Sequence, residues 1–265
     1  RDNGVKLDHE GRDQQLFGAL LSHAGLPGGL VVEAGFVRFI EHDTSRRPSR
    51  NRGLTNFSAR VMHEAAPGTW DYELEGIAQS GSVRESAALN AARLSVHSHF
   101  IHADLGYTLA GGWKPQLNLE WDYASGDGPA AHYDRFDTLF GMRRSELAPS
   151  GIYSALGRTN INTVGLRLEG SPTKRLDLLA AWKWLWAADR HDSFSTSGIR
   201  DPSGSSGSFA GQQLDARLRY WLVPQRLRAE LNAVWLMRGR LLRNAPNASP
   251  HGDTRYGTAA VTLSF

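Results

Sequence analysis

The chain has 265 residues, 30 Lys and Arg against 27 Asp and Glu, a formal net charge of +3 and no cysteine. That length suits one large β domain or two small ones, and no linker-like break divides it, so residues 1–265 are read as a single domain. Mean hydropathy is -0.41, and no stretch nears the roughly 20 uninterrupted apolar residues of a spanning helix, which excludes a helical membrane bundle; the slight, evenly spread basic excess gives no reason to expect nucleic acid.

Taken in chain order, the segments before Asp43 alternate poorly and are broken by a turn near Leu26 to Gly29. A polar connection runs from Asp43 to Gly53, and its Arg46, Arg47, Arg50 and Arg52 read as a solvated loop. After a turn at Pro67 to Thr69 a strand is expected over Trp70 to Gln79, then a long polar segment from Ser80 to Asn90, and a strand over Ile101 to Leu109. Past the turn Gly111 to Trp113, Gln116 to Tyr123 alternates cleanly: Leu117, Leu119, Trp121 and Tyr123 point one way, Gln116, Asn118, Glu120 and Asp122 the other.

The longest connection, Ala124 to Asn160, precedes a strand over Thr163 to Glu169 and a turn at Ser171 to Lys174. Leu176 to Ala188 sets Leu178, Ala180, Trp182, Trp184 and Trp186 against a face holding Asp177 and Lys183. A long segment from Asp189 to Gly211 follows. Gln212 to Leu222 then opposes Leu214, Ala216, Leu218, Tyr220 and Leu222 to Gln213, Asp215, Arg217 and Arg219. The turn Val223 to Gln225, a strand over Leu227 to Arg238, a long segment from Leu241 to Thr254 and a strand over Tyr256 to Phe265 complete the chain.

One face of each clear strand is oily and the other charged, and the connections alternate short with long. Transmembrane barrels combine these two features, with short periplasmic turns and long extracellular loops; a soluble sandwich has no reason to obey the second. The fold class expected is therefore all-β, a transmembrane antiparallel up-and-down β-barrel. About eleven strands are counted. The odd count, with both end strands running toward the short-turn side, predicts a C-terminal part of a larger barrel of about 16 to 18 strands whose N-terminal strands are missing. Val261, Leu263 and the terminal Phe265 alternate with Thr262 and Ser264, which resembles the signal that the barrel-assembly machinery reads.

LEWDYASGD at Leu119 to Asp127, FDTLFG at Phe136 to Gly141 and GRTNINTVGLRLEGSPTKRL at Gly157 to Leu176 carry a resemblance to the alginate export family of outer-membrane barrels, and HADLGYTLAGGWKPQL at His102 to Leu117 fits the same pattern. The resemblance is strongest from about His102 to Arg190. It implies a monomer in the Gram-negative outer membrane with an electropositive lumen, through which an anionic polysaccharide such as alginate leaves the periplasm. The family's selectivity residues find no matching positions here and are not carried over.

The alternation itself supplies pore-lining candidates: Arg60, Glu120, Asp122, Arg167, Lys183, Arg217, Arg219 and Arg228, with Arg226, Arg238 and Arg240 beside them. Acidic positions Asp71, Glu73, Glu75, Glu169, Asp177, Asp215 and Glu230 share that face, so basic charge gathers in the last strands and acidic charge around Trp70 to Asp122. Such a division orients a polar solute; equally, opposite charges on neighbouring strands pair to fill the interior. The Ala124 to Asn160 loop is long enough to plug the lumen and also suits a solvated extracellular loop. Its Asp127, Asp134, Asp137 and Glu146 lack the spacing of a calcium loop. Of His97, His99 and His102 only the first two share a face, too few for zinc.

No GxSxG, phosphate-binding loop, dinucleotide fingerprint or HExxH occurs. No cofactor is expected; the partners expected are outer-membrane lipid, a charged solute and the assembly machinery. A channel for a charged solute is the leading reading. An outer-membrane barrel enzyme of lipase or deacylase type, needing Ser, His and an acid in contact, and a structural or adhesive barrel are the alternatives.

Overall fold

The computed structural model of the protein describes residues 13–44, 48–129, 131–139, 147 and 156–265. Its strands are β1 (Gln14–Leu26), β2 (Leu30–Glu41), β3 (Gly53–His63), β4 (Trp70–Arg84), β5 (Arg93–Thr108), β6 (Gln116–Ala124), β7 (Ile161–Thr173), β8 (Leu176–Trp186), β9 (Phe209–Val223), β10 (Leu227–Arg238) and β11 (Thr254–Leu263), with a one-turn helix α1 (Arg240–Asn244) before the last. They form one sheet in sequence order, each strand antiparallel to its neighbours from the β1–β2 pair to the β10–β11 pair. The sheet is not closed: β1 and β11 are its two edges. The fold is thus all-β and up-and-down, and no helix among the described residues is long and apolar enough to cross a membrane.

Burial on this sheet is inverted relative to a water-soluble one. On β6, Glu120 is 2% exposed whereas Leu119 beside it is 48% exposed. On β8, Lys183 is 2% exposed and Trp182 is 43% exposed. In water, exposed rows of leucine and tryptophan would cost about 25 cal/mol for each Å², so this face requires an apolar medium. A transmembrane barrel wall has this distribution, apolar outward and polar inward. Leu117, Tyr123, Trp184, Trp186 and Tyr220 share the apolar face with them. Trp182 and Trp184 stack at 4.9 Å.

The connections alternate as the sequence indicated, with tight turns at 27–29, 174–175 and 224–226 and long segments at 125–160, 187–208 and 239–253. Gly28 and Gly29, with φ of 79° and 75°, close the first hairpin in a left-handed conformation that L-residues rarely adopt. One expected loop is corrected: the first part of Ser80 to Asn90 is not a connection, since β4 continues to Arg84. Its Val83 is buried with Phe39, Leu54, Val96 and Leu139, and this apolar anchorage holds a Ser- and Gly-rich stretch in the sheet.

A second apolar cluster sits at the long-loop end. Phe136, Leu147 and Leu156 from segment 125–160, Phe194 from segment 187–208 and Leu241 and Leu242 of α1 pack on Phe100, Ile161, Leu185 and Leu236 of the polar face. Phe136, Leu147 and Leu156 of the longest loop therefore lie against the polar face. Gln213 donates a 2.9 Å hydrogen bond to the carbonyl of Leu147, fixing loop to β9.

Candidate functional site: the charged face of the sheet

The centre of the polar face is an ion-pair network spread over four strands. Glu120 on β6 accepts from Lys183 on β8 and pairs with Arg167 on β7 at 2.8 Å; Arg167 also reaches Asp104 on β5 at 3.5 Å. The pairing register sets Glu120 opposite Gly165 and Gly165 opposite Lys183. A Cβ on Gly165 would lie 2.8 Å from Lys183 Cγ, so the missing side chain is what lets the lysine cross one strand to the carboxylate. Asp122, one inward position along β6, holds His102 Nδ1 at 2.7 Å.

Toward the short-turn end, Asn118 donates to Asp104 at 2.6 Å and Gln116 to Asp71 at 2.9 Å. Gly106 makes room for them, because a Cβ there would fall 2.3 Å from Asp71 Oδ1. Arg60 on β3 lies between Glu73 at 2.8 Å and Glu33 at 3.3 Å. Arg158 descends from the long loop to within 3.6 Å of Glu75, its guanidinium 4.5 Å above the Phe100 ring. These groups line a recess of about 580 Å³ with seven carboxylates (Glu64, Asp71, Glu73, Glu75, Asp104, Glu120, Glu169) and three guanidinium groups (Arg60, Arg158, Arg167). Among the described residues Asp71 Oδ2 and Asn118 Oδ1 make no hydrogen bond; buried acceptors of this kind cost about 1 to 3 kcal/mol each unless a polar medium meets them, and the recess is roomy enough to admit water.

Basic charge gathers on β9 and β10. Arg219 donates to Glu230 at 2.7 Å, and Arg228 stands 3.6 Å from the same carboxylate and 5.6 Å above Trp221. Arg217 makes no ion pair among the described residues and borders a second recess, of about 510 Å³, with Glu169, Asp177 and Arg219. All eight pore-lining candidates thus sit on the polar face, but Arg60, Arg167, Lys183, Arg219 and Arg228 are engaged by carboxylates.

Other candidates are dispersed. His97 and His99 point to the apolar side, where His99 stacks on Tyr123 at 5.3 Å and His97 meets the edge of His132 at 5.7 Å. Asp137 pairs with Arg52 at 2.6 Å, Asp134 with His132 at 2.9 Å, and Glu146 lies outside the described residues. Among the described residues no group of three or more His, Asp or Glu could hold a metal ion. Asp104 and Arg158 were not singled out in the sequence, and Asn118 was placed on the polar face of its strand without being made a pore-lining candidate. Asp104 was legible as an inward position once the register was known; Arg158, in an aperiodic loop, carried no signal.

Fold and site together define a class: an antiparallel wall that turns its apolar side outward and its ion pairs inward, as membrane-channel barrels do. The chain belongs to the alginate export family, whose model matches residues 8–254, a span well beyond His102 to Arg190. This is a family of outer-membrane transport proteins rather than of enzymes. None of the characterised proteins compared with the chain matches it.

Proposed function

We propose that the chain forms part of the wall of a monomeric outer-membrane channel, and that an anionic polysaccharide of alginate type, or a similarly charged solute, crosses along its polar face. The observation that carries the reading is the inversion of burial: fixed charges of both signs lie inside, while Leu119, Trp182 and Leu218 face outward. On this reading Arg60, Glu120, Asp122, Arg167, Lys183, Arg217, Arg219 and Arg228 line the pore. Arg217, with no carboxylate bound to it, and Arg228, at the long distance of 3.6 Å from Glu230, present the least compensated positive charge to a passing carboxylate. The terminal strand is the segment offered to the barrel-assembly machinery.

Planar-bilayer recordings of the full-length protein test this. The pore should prefer anions, and Arg217→Glu with Arg228→Glu should move the reversal potential toward cations. Raising salt from about 0.1 M to about 1 M should weaken the preference as the Debye length falls from roughly 10 Å to roughly 3 Å. A cation-selective wild-type pore, or one indifferent to both changes, removes the anionic-polysaccharide function.

A further inference from the structure

On the apolar side of the sheet, two arginines converge where a lipid-facing wall should carry none. Alternation turns Arg38 of β2 and Arg93 of β5 outward, at the long-loop end of their strands. Both reach over Gly53, the first residue of β3: a Cβ built there would lie 3.5 Å from Arg38 Nη2, 3.8 Å from Arg93 Nη2 and 3.9 Å from Ser82 Oγ. Gly53 is buried beneath them. Neither guanidinium meets a carboxylate among the described residues. Arg38 Nη1 donates to Thr55 Oγ1 at 2.6 Å; Arg93 donates to Ser82 Oγ through Nε at 2.9 Å and Nη2 at 2.6 Å.

Two like charges held together over a glycine, with only neutral hydroxyls as partners, repel each other unless an anion lies between them. A phosphate accepts from each donor at about 2.8 Å and spans such a gap, and guanidinium groups match its oxygens in paired fashion. The neighbourhood specifies what carries the phosphate. Two residues along β3 from Thr55, Phe57 is 59% exposed on the same face, tilted against Phe36 at a ring separation of 5.4 Å. A charged clamp at the strand ends with phenyl rings directly below fits a head group above acyl chains, and long loops mark the outer side of such barrels.

We propose that Arg38 and Arg93 form a binding site for the phosphate of an outer-leaflet lipid. The site goes beyond the channel reading and needs only that this face meets lipid. It is tested by native mass spectrometry of the full-length protein in dodecyl maltoside with phosphatidic acid added. Wild-type protein should retain this lipid with an occupancy at least about fivefold above that of Arg38→Gln/Arg93→Gln, whereas Arg38→Lys/Arg93→Lys should keep an intermediate share. Equimolar inorganic phosphate should not displace it. Equal retention by wild type and the double Gln variant overturns the site, and displacement by inorganic phosphate overturns the lipid as its ligand. Heat-modifiable migration on gels verifies folding; should the double variant fail it, Arg93→Gln alone, at an exposed side chain, gives the same comparison, with a smaller loss expected and no loss overturning the site.

Discussion

Lys183 reaches Glu120 across the bare backbone of Gly165, both side chains almost fully enclosed. A buried carboxylate that loses its cation keeps its desolvation cost. Lys183→Met should therefore lower stability by about 3 kcal/mol, read from urea unfolding in detergent, even though Arg167 remains at 2.8 Å. Glu120→Gln added to Lys183→Met should recover part of that loss, and Gly165→Val, which forces the lysine aside, should imitate the single variant.

The outward face carries an independent expectation. Arg substitution at Leu119 or Leu218 should cost about 2 to 4 kcal/mol if the position lies at mid-bilayer. Equilibrium refolding into lipid vesicles measures it, and a neutral outcome at both sites would remove the lipid-facing assignment.

The two longest described loop segments are clamped together by Arg135, which holds Asp192 at 2.5 Å and donates to the carbonyls of Ser193 at 2.8 Å and Ser195 at 2.6 Å. Arg135→Ala should cost about 2 kcal/mol of local stability. Limited proteolysis should then cut within residues 187–208 well before the strands, while the wild-type segment resists.

Acid should loosen the loops at two carboxylates. Hydrogen bonds from Ser203 and Ser206 hold the Asp201 carboxyl well below the usual aspartate range, and those from Arg84 and the Ser49 amide lower that of Asp43. A depressed folded-state pKa contributes stability that is fully present above the unfolded value of about 3.9 and is lost as pH falls through the folded one. Hydrogen exchange should show the amides of Ser49, Ser203 and Ser206 protected near neutrality and unprotected only in strong acid. Loss of protection near pH 6 would contradict these bonds.

The strands legible in the sequence were those where each face holds one kind of residue, as on β6 with Leu119 against Glu120 and on β9 with Leu218 against Arg217. β2 was illegible because both its faces are mixed: Phe39 turns inward to an apolar cluster, while Arg38 turns outward. β4 was read short because Ser80 and Ser82 resemble loop residues, and only Val83, packed on Leu139 of a distant loop, reveals the strand. Inward charges could be named from alternation, but not which of them would be neutralised. That depends on Gly165 and Gly106 opening space between particular partners, a matter of register between strands rather than of pattern within one.

Along β8 the polar face changes from Lys183 to Leu185 in a single inward step, and along β5 from His102 to Phe100. With Ile161 and Leu236 these side chains make an apolar cluster, covered on the loop side by Phe136 and Phe194. On the channel reading, a solute travelling along the face would exchange its hydration shell for fixed charges up to that level and then meet apolar side chains that offer it no hydrogen bond. Dehydration at this level would add a barrier to the selection made by the charges below it, and the permeation rate should climb steeply with temperature unless the loops above withdraw.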